Sequence, residues 1–384
     1  MGDKRRALHM PSEIQAPPAH RSWAEINLDA LRHNAAAVRT QVGPEVRIMA
    51  IVKANAYGHG LGPVVRALEG QVQIFGVANV TEGCELRAHL PAAEVFILGP
   101  ALPEERAEIV RRGFIPSVSN ADEARAFAEL APGTPVPIHF IVDTGMGRIG
   151  VWQEEAMQML ARITALPGVK ITGVASHLPA ADEDNHFTQR QLVRFHALLV
   201  QIRAAGVSAP LVHIENSAGL LGHTMQAGDL VRPGIMLYGH APLPQWQHCL
   251  RPALTWKARI TLLRDVAAGR SISYGRTFIT PRSMRIATLG VGYADGYQRH
   301  LSGQNAQVLI GGRRCAVLGR VTMDQIMVDT SAVGELAVGD EAVLIGRQGD
   351  DEILVGEVAR KAGTIAWEIF TGIGPRVARE YIGL

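Results

Sequence analysis

From Arg21 to about Gly239 the chain alternates between two textures. Short apolar runs recur at Arg47–Lys53, Ile74–Asn79, Val95–Gly99, Ile115–Asn120, Pro137–Gly145, Ile171–His177, Leu211–Ser217 and Leu230–Gly239. Runs of this length suit buried strands. Between most of them lie helix-like stretches rich in Ala, Leu, Glu, Arg and Gln, such as Glu104–Arg112, Ala121–Leu130, Gln153–Ala165 and Asn185–Ala205. Asn120 and Asp122 stand where N-caps belong, and Gly113 and Gly206 where helices stop. Strands alternating with helices predict parallel βα units. An open doubly wound sheet satisfies that pattern. The strand count and a span near the usual ~250 residues favour a closed (β/α)8 TIM barrel.

Around residues 240–252 the texture changes to a proline-rich linker, Ala-Pro-Leu-Pro-Gln-Trp-Gln-His with Pro252 beyond it. Short alternating strands follow at Lys257–Val266, Met284–Val291, Gln307–Ile310, Arg314–Leu318, Gln325–Asp329 and Ala342–Ile345, with one helix-like stretch, Val355–Ile369. The expected division is a disordered leader over 1–20, a barrel over 21–245 and a mostly β domain over 246–384.

Composition changes the picture only by exclusion. The 384 residues suit two domains, and 47% of them are hydrophobic, enough for a sizeable core. A net charge of +2 with interspersed signs gives no electrostatic reason for a nucleic acid or membrane partner. Three scattered cysteines, Cys84, Cys249 and Cys315, point to a reducing, cytoplasmic setting. The basic, proline-containing leader lacks the apolar core of a secretory signal.

Chemistry collects at the strand ends: Lys53, Asn79, Asn120, Asp143, His177, Asn216 with Ser217, and Arg232. Lys53 alone reads as a strand-end lysine whose stem snorkels. In a barrel, however, all these ends meet at the face where active sites lie. A lysine there can form a Schiff base with an aldehyde cofactor or a carbonyl substrate, provided desolvation or a nearby cation keeps it unprotonated. The loops after strands seven and eight, Asn216-Ser217-Ala218-Gly219 and Arg232-Pro233-Gly234-Ile235, suit a phosphate. Together they point to pyridoxal phosphate. Arg148, in the Gly-rich run Asp143–Arg148, is either a fork for a carboxylate or phenolate or a surface arginine. His177 suits the flat face of an aromatic ring better than a metal, since no HxxxH or HExxH spacing appears. In the second domain Tyr274 and Tyr293 lie in glycine-flanked loops, as packing corners or as acid–base groups.

The motifs resemble the alanine racemase family. They are Val52-Lys-Ala-Asn-Ala-Tyr-Gly-His-Gly60, Asp143–Gly150, His213–Ser217, Val231–Gly239, Ser273-Tyr-Gly275, Gly292–Gly296 and Met323-Asp-Gln325, in family order over nearly everything after the leader. The resemblance implies a pyridoxal phosphate racemase, working as a head-to-tail homodimer on a small amino acid and supplying D-alanine for peptidoglycan. It implies that Lys53 holds the cofactor and is one base, and that Tyr274 of the other chain is the second. It matches Tyr57, Ser217, Gly234 and Ile235 to the phosphate, with Asn216 beside them. Arg232 is matched to the pyridine nitrogen and His177 to the ring. Arg148 and Met323 are matched to the substrate, and Ala180 and Tyr293 to a gate. It also implies that Trp23–Leu28 packs with the second domain.

Three positions depart from the family pattern. Ile141 stands where many members carry a carbamylated lysine, Thr322 where cysteine is common, and Pro375 where some place a gate tyrosine. These motivate a broad-specificity or serine racemase as the alternative. From other classes, a pyridoxal phosphate decarboxylase and a non-catalytic cofactor-binding protein remain. Against them stand the absence of a Cys-Asp-type loop and the presence of Tyr274 with a second domain.

Overall fold

The computed structural model describes residues 20–207, 211–223 and 228–383; the expected leader lies, but for His20, outside them. Eight parallel strands form one sheet: Arg47–Ile51, Ile74–Val77, Val95–Ile97, Ile115–Val118, Val136–Asp143, Val169–Ala175, Leu211–His213 and Leu230–Val231. The eighth strand pairs with the first, Leu230 opposite Arg47. The seam between the seventh and eighth is bridged where Asp229 N–H donates to Val212 O at 2.9 Å and Arg232 N–H to Glu215 O at 3.0 Å. The barrel is thereby nearly closed, and the open doubly wound sheet is excluded.

Local chemistry sets the βα units. Asn27, Asn79, Asn120, Asp184 and Asn216 each accept a backbone N–H at the head of a helix, relieving its orphan donors. The Asp122 N–H donates to Asn120 Oδ1, so Asp122 lies in the first turn and is not a cap. Gly113 ends its helix at φ 65°, a left-handed position that suits glycine.

The second sheet has nine strands among the described residues. In order they are Asp351–Ile353, Glu341–Gln348, Gln307–Ile310, Arg313–Leu318, Ile326–Asp329, Met284–Leu289, Leu254–Val266, Ser22–Asn27 and Ala378–Ile382. The long strand Leu254–Val266 also pairs with Glu341–Gln348, so the sheet folds back on itself. Ser22–Asn27 precedes the barrel in sequence yet lies in this sheet, antiparallel to Leu254–Val266 and parallel to Ala378–Ile382. One apolar core runs through both parts. The expected single helix near the C-terminus is two, Val355–Ala362 and Ala366–Gly372. Gly363, at φ 71°, stops the first.

Candidate active site

The strands stop earlier than their apolar runs. The first ends at Ile51, and the polar residues follow on the loops at the barrel mouth. After Lys53 the chain makes a left-handed turn, with φ of 53°, 54°, 52° and 53° at Ala54, Asn55, Ala56 and Tyr57. None of these is glycine, and the conformation costs roughly 1–2 kcal/mol per residue, so the surroundings must impose it. Ala56 N–H donates to Val52 O and Gly58 N–H to Ala54 O, both at 2.9 Å. Asn55 Oδ1 accepts from Leu61 N–H at 2.7 Å. From the C-terminal strand, Arg379 Nε donates to Gly58 O at 3.1 Å.

Lys53 opens onto a cavity of about 450 Å³. Tyr57, Arg148, His177, Asn216, Ser217, Arg232, Gly234 and Ile235 line it too, so residues spread over most of the barrel converge there. On one wall, Ser217 Oγ accepts from Gly234 N–H at 2.9 Å, which leaves the Ser217 proton free to donate. A Cβ at Gly234 would lie 2.5 Å from the Tyr57 hydroxyl, so only glycine lets backbone and phenol close on one point. Tyr57 stacks on Tyr238 with ring centroids 4.8 Å apart, and the Tyr238 hydroxyl donates to Ile51 O at 3.0 Å. Burial raises the Tyr57 pKa, so it stays a protonated donor.

Arg232 forms the floor. It donates to Ser176 O at 2.6 Å, His213 O at 2.9 Å and Ile214 O at 3.1 Å. It also donates to His177 Nδ1 at 3.2 Å and to His213 Nδ1. Burial lowers it to about 10, still a cation at neutral pH. Burial, then Arg232, Arg148 and Lys53, push His177 down to about 3, so its ring is neutral and Nδ1 accepts. His213 is likewise held well below its ordinary value. Its Nδ1 accepts from Arg232, so its proton sits on Nε2 and points to His139 Nδ1, 2.8 Å away.

Burial, then Arg148, lower the Lys53 pKa. Both act against the charged ammonium, while Glu82 opposes them. Arg148 rides on a loop wound about the buried Asp143 carboxylate, which accepts the N–H groups of Gly145, Met146, Gly147 and Arg148 at 2.7–3.2 Å. Ile141 is buried in the same wall.

Tyr274 and Met323 lie elsewhere in the chain. They line a separate open hollow with Arg21, Thr322, Asp324, Gln325 and Arg376. Tyr293 is joined to it through its N–H, which donates to Thr322 O at 3.0 Å. Ala180 sits in the loop after the sixth strand, where its carbonyl accepts from Asp184 N–H. Within one chain, then, the other predicted barrel residues come together on the cavity, Ala180 is not part of its lining, and Tyr274, Tyr293 and Met323 do not join it.

Sequence reasoning missed Ile365 and Trp367, which reach the cavity from the C-terminal helices, as well as Leu98 and His213. Their signal was spatial. Nothing in the local pattern of Ile365 separates a cavity wall from a helix start. Among the described residues no group of three or more His, Cys, Asp or Glu is placed to hold a metal, and no helix is long and apolar enough to cross a membrane.

An amine, two hydroxyls, a glycine and a buried arginine at the mouth of a barrel form the class of site in which an anionic, carbonyl-bearing group could be held. Comparison with known proteins gives the family. The alanine racemase N-terminal domain matches residues 26–242 and the C-terminal domain residues 253–381. The alanine racemase of Halothermothrix orenii is 43% identical over 94% of this chain and 96% of its own, and that of Symbiobacterium thermophilum 45% over 94% and 97%. The crystal structure of the Bacillus anthracis alanine racemase with bound L-Ala-P superposes with a TM-score of 0.87, at 34% identity, covering 96% of each chain. The biosynthetic alanine racemase of Pseudomonas aeruginosa superposes at 0.86 with 35% identity, covering 95% of this chain and 100% of its own. The chain belongs to the alanine racemase family and is an isomerase.

Proposed function

We propose that the chain interconverts L- and D-alanine with pyridoxal phosphate, using Lys53 on one face of the substrate and Tyr274 of a second chain on the other. The observation that carries this reading is the barrel mouth: one cavity joins Lys53, the Tyr57–Ser217–Gly234 cradle and the Arg232 floor. That donor set fits the cofactor. Two hydroxyls that can donate, beside a backbone held open by Gly234, suit a phosphate. The amine at the other end suits an aldehyde, and His177 and Arg232 would hold the cofactor's aromatic ring. When bound, the cofactor would delocalise the charge left on Cα after deprotonation.

The chain's own residues then divide the work. Arg232 is a cation with no acceptor site, so it does not favour a protonated ring nitrogen. Lys53, kept below its usual pKa, accepts or returns a proton on its face. Arg148 orients the substrate carboxylate. Tyr274 and Met323 are exposed on their own chain, which supports their completing the cavity of a partner in a head-to-tail homodimer. Asn216 holds the phosphate loop, donating to Leu178 O and accepting from Gly219 N–H, both at 2.9 Å. Ala180 and Tyr293 would flank the way in. The biological role of this reading is supply of D-alanine for peptidoglycan in the cytoplasm. Its structural units are the barrel to about residue 245 and the β-rich part beyond.

A second reading, broader specificity including serine, is favoured by Ile141, which puts an apolar side chain where many members have a charged one. A racemisation screen with added pyridoxal phosphate separates the two. Alanine is expected to give the highest kcat/KM among alanine, serine, lysine and arginine. Equal or better turnover of a larger substrate would sink the alanine reading, and no epimerisation of any would sink both.

A further inference from the structure

The strained turn after Lys53 is held from outside by one carboxylate. Glu82 Oε1 accepts from Ala54 N–H, the amide next to Lys53, at 2.9 Å. Its other oxygen accepts from Ala78 N–H, just beyond the second barrel strand, at 2.8 Å. The bond to Ala78 alone is ordinary helix capping. Asn79 caps the helix Val80–His89 by accepting the Glu82 N–H, and the glutamate reaches back one residue before the cap.

The barrel carries an internal control for that reading. In the helix Ala121–Glu129, Asn120 accepts the Glu123 N–H at 2.9 Å, and Glu123 reaches back to Ser119 N–H at 2.8 Å. The local device is the same pairing of a cap asparagine with a glutamate three residues on. Only Glu82 extends it across to the first βα loop. Resting on the reading of Lys53 as the cofactor lysine, we propose that Glu82 is a positioning residue for Lys53. Its carboxylate fixes the amide beside the lysine to the neighbouring strand, and so sets where the amine enters the cavity.

Two further facts fit. Four consecutive non-glycine residues with φ near 53° need an external hold, and Ala54 is the first of them. Glu82 is also the carboxylate that raises the Lys53 pKa, against burial and Arg148, which lower it. The other charged or titratable groups on the same cavity are His177, His213 and Arg232 on the floor, Tyr57 and Asp143 in its walls, and Asp182 and Glu183 at the rim. A carboxylate that both anchors the backbone and tempers the charge of the lysine does more than cap a helix.

The test uses the full chain, stripped of bound aldehyde with hydroxylamine and then offered pyridoxal phosphate as a function of pH. Borohydride reduction and peptide mass analysis measure what is fixed at Lys53. Glu82→Gln is expected to slow capture by about tenfold or more, because the amine is no longer aimed. It is also expected to lower the pH midpoint of capture, because the attraction favouring the ammonium is gone. Glu82→Asp keeps the charge and shortens the arm, so the midpoint stays and the rate falls. Glu123→Gln, which loses the same capping bond elsewhere, leaves rate and midpoint as in the parent chain. Parent-like rate and midpoint in Glu82→Gln, or equal changes in Glu123→Gln, would overturn the proposal. A parent chain that fixes no aldehyde at Lys53 would instead sink the cofactor reading on which it rests.

Discussion

The barrel mouth and the second-domain hollow are built to opposite standards. At the mouth the side chains are buried and cross-linked: Arg232 is 6% exposed with five side-chain hydrogen bonds to four residues, and Ser217 and Tyr57 lie 3% and 6% exposed. In the hollow the backbone is fixed while the side chains stand in the open, Tyr274 at 69% and Met323 at 52%. Ser273 is held at φ 63° with its hydroxyl on Arg320 O at 2.5 Å, and Thr322 closes its own turn onto Gln325 O at 2.7 Å. Rigid loops that display large exposed side chains are what a protein presents to another surface. On the proposed reading, the buried mouth is the part of the site that one chain completes by itself, and the open hollow is the part it offers to a second copy.

That contrast can be broken most severely at the mouth. Lys53→Ala is expected to remove the visible absorbance of lysine-held cofactor and to cut racemisation by at least about 10⁴-fold, read by absorbance and by a coupled D-amino-acid assay. Next in size, Tyr274→Phe is expected to keep that absorbance and lose about 10²–10⁴-fold in kcat, the range of one positioned acid–base group. Near-parent activity in this variant would remove Tyr274 from the chemistry and dissolve the comparison.

Smaller effects sharpen it. Neutral buried histidines stand at the mouth and, with His139, inside the barrel behind it, and none lines the hollow. Burial, then Arg232 and Arg47, hold His139 down to about 3, whereas an unfolded histidine titrates near 6.5. Between those values the unfolded chain binds more protons, so stability present above pH 6.5 is lost as pH falls. At pH 5 the loss is about 2 kcal/mol for each such histidine. Thermal unfolding from neutral pH to pH 5 should therefore show a fall that His139→Leu flattens by one histidine's share. An unchanged slope would place its titration elsewhere. Smallest, Tyr57→Phe is expected to weaken cofactor binding by about 1 kcal/mol, the value of one hydrogen bond, with kcat little changed. A larger fall in kcat than in affinity would move Tyr57 from holding to chemistry.

Much of this was legible in the chain. Eight apolar runs of strand length, all but Val95–Gly99 carrying a polar residue at or near the end, pointed to the barrel and its mouth, because strand ends in that fold share one face. Lys53, Ser217 and Arg232 followed from position alone. What the pattern overshot were the strand ends. Apolar residues such as Val52 and Ile235 continue past the strand ends because they are buried in the same core. The stretch Val355–Ile369 joined two helices into one because a lone glycine reads the same whether it is tolerated or ends the helix. Glu82 stayed hidden because its local signature equals that of Glu123, and its second bond spans from Ala54 to the next βα unit. The place of Ser22–Asn27 in the C-terminal sheet is equally a matter of long-range pairing. No local periodicity carries it.

The central claim, that each site takes Lys53 from one chain and Tyr274 from the other, is tested most directly by mixing two inactive proteins. Lys53→Ala and Tyr274→Phe chains, unfolded and refolded together at equal amounts, form hybrid dimers in which one of two sites has both residues intact. Activity should return to about a quarter of the parent value, since about half the dimers are hybrids. The double variant mixed with itself should recover nothing. A mixture no more active than its separate components would contradict the account.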